Sequence, residues 1–187
     1  MNNWTWHFIV VCWIVFLIYW FITAFNVKQT IEHHGNFRSR FFAAIIIAWL
    51  ILILLPKRLS QLSLWHTSLY LGIFTDFIVL VGLGFAIWAR ITLGRNWSGN
   101  ITFKKDHELI ESGPYSLVRH PIYTGILLMA VGGAINYGQP SALILLLVLL
   151  LGFWVKYQEE EKVMIQHFPK QYKAYKKRVK AIIPFVV

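Results

Sequence analysis

Apolar residues along this chain gather into long runs and do not recur at amphipathic spacing. A hydrocarbon layer about 30 Å thick is crossed by roughly 20 mostly apolar helical residues. The runs predict membrane spans over about 6–25, 41–55, 69–89, 121–137 and 141–157. Pro56 closes the second. The last two are joined only through "NYGQP", a turn so tight that they must form an antiparallel helical hairpin. Polar residues fill 90–119 and most of the chain beyond 157. There Met164, Phe168, Tyr172, Tyr175 and Val179 recur every three or four positions. That spacing predicts an amphipathic helix along the membrane interface, lysines on its other face, broken in two by Pro169. The expected fold is all-α: a polytopic membrane protein of about five spans with a C-terminal amphipathic segment.

Composition agrees with this pattern. Only 14% of residues are charged, against about 25% in soluble domains. The net charge of +10 is therefore read as topology and not as a nucleic-acid surface, since cytoplasmic loops collect Lys and Arg. Sixteen of the 18 fall in 26–40, 90–119 and the segment from Lys156 onward; Lys57 and Arg58 alone lie on the other side. This distribution predicts an outward N-terminus and a cytoplasmic C-terminal segment. The N-terminus has no basic region ahead of the first run, so that run is expected to be retained as a helix. The one cysteine, Cys12, lies inside it and is expected to be a packing residue. Trp65 and His66 suit an aromatic belt at a span end. Asp76, within the third run, is costly if ionised, and a structural role is favoured over a catalytic one.

Three polar clusters then share one face of the membrane. They are 92–115, "RHPIYTG" at 119–125, and 156–179. Pro121 suits the first turn of a helix. It sets Arg119, His120 and Tyr123 on one side of the helix start, where the positive end of the dipole favours an anion. The plainer alternative is an interfacial anchor, with Arg and Tyr reaching for the headgroups. Gly125, Gly132 and Gly133 permit close helix contact or backbone approach by a ligand. Glu159, Glu160 and Glu161 are either a solvated face paired with Lys156 or Lys162, or carboxylates placed to hold hydroxyls or a cation. No dinucleotide fingerprint, phosphate loop or zinc motif occurs, and no metal is expected.

Taken in order, "LGRNWS", "HELIESGPYSLVRHPIYTG", Gly132, "EExxMxxxF" and "YxxYxxxV" before "IIP" resemble the isoprenylcysteine carboxyl methyltransferase family and the related phospholipid methyltransferases. The resemblance covers about 93–184, and the length and layout look like a prokaryotic member. It implies one membrane domain over 1–187, with three spans in 1–89 and a cofactor-binding and catalytic region with two spans in 90–187. It implies S-adenosylmethionine as methyl donor, S-adenosylhomocysteine as product, and a cofactor pocket with no Rossmann domain. His107, Leu109, Ile110, Gly113 and Tyr115 correspond to cofactor-lining positions. His120, Pro121 and Tyr123 continue that wall, and Glu160 and Glu161 match its acidic pair. Arg119, Lys156 and Glu160 are the implied catalytic set, Arg119 meeting the methionyl carboxylate or the substrate. Lys156 stands where the family often has Arg, and Gln139 where many relatives have Asn. The implied acceptor is a lipophilic or prenylated carboxylate arriving from the bilayer. An amphiphilic amine is the runner-up, followed by a sterol-reductase-like NADPH oxidoreductase and a scaffold or transporter without cofactor.

Overall fold

The computed structural model describes residues 3–35, 40, 43, 44, 46, 47, 62–106 and 108–184. Its helices are α1 (Asn3–Ala24), α2 (Leu69–Leu93), α3 (Pro121–Tyr137), α4 (Pro140–His167) and α5 (Gln171–Arg178). The stretches 4–24, 69–96 and 140–167 are long and apolar enough to cross a membrane. α3, at 17 residues, is shorter. The chain is thus a helical integral membrane protein. The second expected span, 41–55, lies largely outside the described residues; Ala43, Ala44, Ile46 and Ile47 within it are helical.

Local chemistry sets the helix ends. Ser68 caps α2, its hydroxyl accepting the Leu71 N–H at 3.2 Å. Gly138, at φ 67°, ends α3 in the left-handed conformation that glycine adopts without a steric penalty. Its N–H closes on the Ala134 carbonyl. Pro140 then opens α4, so the hairpin is as tight as expected. Trp65 donates its indole N–H to the Ile135 carbonyl at 2.8 Å beside this turn.

α2 and α3 approach closely enough that backbone meets backbone. A Cβ on Gly125 would lie 2.6 Å from the Gly82 carbonyl oxygen, and one on Gly82 would lie 2.7 Å from that of Gly125. Gly132 is as tight, against Val79 and the Thr75 carbonyl. Gly133 departs from expectation, for its nearest neighbour stands 3.9 Å away. α1 packs Ile9, Cys12 and Phe16 against Val79, Leu83, Ala86 and Met129. Between these helices Asn136 donates to Thr75 at 2.9 Å and to Thr5 at 3.3 Å. Asp76 is buried, and its carboxylate oxygens have no hydrogen-bond partner among the described residues.

Three features depart from the sequence reading. α4 does not stop near residue 157 but runs unbroken to His167. "EEEK" carries good helix formers and no breaker, and the rod ends only at Phe168, which the following Pro169 holds out of the helical region. Of the expected amphipathic pair, the first member is therefore the end of a span. The second, α5, turns Tyr172 and Tyr175 into the protein instead of along the membrane. A short antiparallel ribbon also joins β1 (Thr30–Gly35) to β2 (Ile101–Lys104).

Candidate functional site

Around the start of α3, five chain segments enclose a cavity. It holds about 150 Å³, or about 890 Å³ with the space at its open mouth counted. Leu93, Asn96, Trp97 and Thr102 line it from the stretch after α2, and Glu108, Leu109, Ile110 and Tyr115 from the next. Residues 119–123 contribute from the start of α3, Glu160, Val163 and Met164 from α4, and Tyr172 and Tyr175 from α5.

Backbone geometry delivers these groups. Gly113, at φ 60°, turns the chain into a short 3-10 helix that buries Tyr115. His120 is the N-cap residue of α3, yet its side chain makes no capping bond, so the imidazole is left for the cavity. The segment after α5 straps this helix start. Arg119 and His120 donate their N–H groups to the carbonyls of Lys180 and Ala181, at 2.8 and 2.9 Å. The Thr124 hydroxyl donates to the Ile182 carbonyl at 2.7 Å.

Adjacent glutamates on α4 point about 100° apart around a helix, and the two meet different surroundings. The Tyr123 hydroxyl lies 2.7 and 2.8 Å from the two carboxylate oxygens of Glu160, toward which it donates. Lys156 Nζ and His120 Nδ1 each stand 3.7 Å from that carboxylate. Glu160 is a quarter exposed and lines the cavity. Glu161 is 2% exposed and lies behind the wall. It accepts from Arg119 Nε at 2.8 Å and Nη2 at 2.5 Å, and from Lys176 Nζ at 2.6 Å. His120 Nε2 is 3.4 Å from the same carboxylate. Arg119 also donates to the Val179 carbonyl, so its guanidinium is held by structural partners on several sides.

Aromatic faces complete the enclosure. His120 stacks on Tyr123 at a 6° interplanar angle, and Tyr123 on Phe153 at 14°. Lys156 Nζ lies 5.3 Å from the Tyr123 ring centroid and donates to the Gly99 carbonyl at 3.1 Å. Burial pushes the hydroxyls of Tyr115, Tyr172 and Tyr175 above the ordinary phenol range, so they stay protonated donors at neutral pH. Tyr175 donates to the Tyr115 carbonyl. Tyr175→Phe keeps the ring but orphans that carbonyl. It should cost about 1–2 kcal/mol in a denaturant titration in micelles, with helix content unchanged.

Leu109, Ile110, Tyr115, Arg119, His120, Pro121, Tyr123 and Glu160, all singled out from sequence, line this one cavity. Gly113, Lys156 and Glu161 do not line it but hold its walls, and His107 lies outside the described residues. Asn96, Trp97, Thr102, Glu108 and Val163 were not singled out as site residues, and Met164, Tyr172 and Tyr175, read as an interfacial stripe, line the cavity instead. "LGRNWS" was the available signal for Asn96 and Trp97, and helical spacing from Glu160 for Val163 and Met164. The ribbon also brings residues of the first loop to this end of the molecule. His167 Nε2 pairs with Glu32 at 3.1 Å, and its ring stacks on Phe103.

Comparison with known proteins places these features in context. The family model for the isoprenylcysteine carboxyl methyltransferase (ICMT) family matches residues 73–166. Protein-S-isoprenylcysteine O-methyltransferase B of Arabidopsis thaliana is 34% identical over 101 residues, covering 52% of this chain and 51% of that protein. The Saccharomyces cerevisiae protein-S-isoprenylcysteine O-methyltransferase is 33% identical over 112 residues, covering 58% and 47%. The Xenopus laevis one is 30% identical over 148 residues, covering 71% and 51%. The chain spans about half the length of these curated relatives. Its fold is similar to that of the eukaryotic intramembrane Ras methyltransferase ICMT, with a TM-score of 0.56 and 22% identity over 81% of this chain and 55% of that one.

Proposed function

Because the chain belongs to the isoprenylcysteine carboxyl methyltransferase family, we propose that it transfers a methyl group from S-adenosylmethionine to a lipophilic, isoprenylcysteine-type carboxylate. The observation that carries this reading is the meeting of His120 and Tyr123 from α3 with Glu160 from α4 on the wall of one cavity at a span end.

The donor set fits the proposed cofactor. Aromatic faces of Trp97, Tyr115, Tyr172 and Tyr175 suit a nucleoside and a sulfonium. The carboxylates of Glu108 and Glu160 suit hydroxyls and an ammonium group. The positive end of α3 suits a carboxylate. When bound, the cofactor supplies an electrophilic methyl group. An ionised carboxylate acceptor would need no general base, so this chain's contribution is alignment and exclusion of water. Tyr123 and His120 hold Glu160 at a fixed angle. Arg119, tied to Glu161, acts as a positioning residue that fixes the start of α3.

An amphiphilic amine is the second reading, and one observation favours it. The cavity wall carries two carboxylates, Glu108 and Glu160, while the Arg119 guanidinium is spent on Glu161. Glu160 would then take the ammonium proton before attack. The Lys and Arg asymmetry supports a cavity facing the cytoplasm and an outward N-terminus.

Incubation with methyl-labelled donor, then base, separates these chemistries. An S-isoprenylcysteine ester releases labelled methanol, whereas N-methylated phosphatidylethanolamine retains its label. Glu160→Gln should reduce transfer and S-adenosylhomocysteine affinity by roughly 100-fold or more, with helix content unchanged. Full affinity in that variant, measured by calorimetry, would remove Glu160 from the site.

A further inference from the structure

We propose that the outer face of α5 and the strap after it form a docking surface for anionic phospholipid headgroups. No acidic residue occurs from Lys162 to the end of the chain, while seven Lys and Arg do. Two of them are spent, Lys176 on Glu161 and Arg178 on Glu111. Lys170, Lys173 and Lys177 are exposed at i, i+3 and i+7, a stripe along α5, and Lys180 is exposed just beyond it. None of these four has an ion-pair partner in the described residues.

The position of the stripe separates it from an ordinary solvated face. The strap is pinned by backbone hydrogen bonds to Arg119 and His120, immediately ahead of the apolar helix α3. Val118 bridges Lys180 in parallel, which sets Leu117 beside the strap. Leu117 is 50% exposed and Ile183 52%. Large apolar side chains left out of the protein next to unspent lysines suit a headgroup boundary, apolar parts inserted and cations on phosphate. The occupant fitting both is a lipid of net negative charge. The opposite side of α5 brings Tyr172 and Tyr175 to the cavity, so lipid held on the outer stripe braces one cavity wall.

Native mass spectrometry of the full chain, in micelles holding equal fractions of phosphatidylglycerol and phosphatidylcholine, tests this without any methyl-transfer readout. The wild-type protein should retain phosphatidylglycerol with a roughly tenfold preference. The exposed-residue variant K170Q/K173Q/K177Q/K180Q should lose it, whereas R95Q/K105Q, removing exposed cations outside this face, should keep it. Equal retention of both lipids by the wild type, or an undiminished preference in the quadruple variant, overturns the proposal.

Discussion

Glu161→Ala is expected to destabilise the protein by about 3–5 kcal/mol, the usual cost of breaking a buried ion pair from one side. The partner left behind is decisive. Arg119 has a side chain only 6% exposed, and its Nε and Nη2 both donate to Glu161. Without the carboxylate, a guanidinium stays buried at the mouth of α3 with only backbone carbonyls to meet it. Lys176 is 45% exposed and simply returns to water, so Lys176→Met should cost no more than about 1 kcal/mol. Removing both buried charges, in Arg119→Met with Glu161→Leu, should recover part of the loss relative to Glu161→Ala. Unfolding midpoints in detergent measure all three. A Glu161→Ala protein that melts with the wild type would show that Glu161 does not hold the site together.

Gly125→Val should be comparably damaging through a different cause. The introduced Cβ would sit 2.6 Å from the Gly82 carbonyl oxygen and 2.7 Å from the Ala86 nitrogen. Both are backbone atoms of α2, and no side chain there can swing aside. Separating the helices opens the buried cluster of Val79, Leu83, Ala86 and Met129, and over-packing of this kind costs about 1–3 kcal/mol or more. Gly84 supplies the control, since nothing lies within 4 Å of its Cβ position. Gly84→Ala should be neutral or up to about 1 kcal/mol stabilising, from helix propensity alone. The two substitutions separate only if the α2–α3 contact is as close as described, which parallel thermal melts decide.

Much of the helical frame was legible because its signals are local. Run length marked α1, α2, α3 and α4, Pro121 opened α3, and Gly138 with Pro140 made the turn. The grouping of Arg119, His120, Tyr123 and Glu160 was legible from motif order and a shared membrane face. The rest depended on contacts between distant segments. Hydropathy ended the fifth span where charge began, yet helix formation depends on backbone propensity, which "EEEK" satisfies. The tyrosine stripe at 172 and 175 fits a lipid interface or a protein wall equally well by spacing, and its burial against the cavity decides for the wall. Glu160 and Glu161 read as a like pair. Only the position of Arg119 and Lys176 assigns one to the cavity and the other to the frame. The ribbon pairs residues about 70 positions apart, a register that no single stretch of sequence announces.

The unbroken length of α4 has a mechanical consequence. One rod carries lipid-facing leucines such as Leu147 and Leu151 at one end and Glu160 and Glu161 at the other. A helix advances 1.5 Å and turns about 100° per residue. Adding or removing one residue between Leu151 and Glu160 would therefore shift the carboxylates along the axis and rotate each out of its own niche, Glu160 from Tyr123 and Glu161 from Arg119. The bilayer depth and the compass bearing of the acidic pair are set by a single residue count. Along this helix, a lipid-facing side chain can be exchanged without turning the acidic pair, but a residue cannot be added or removed.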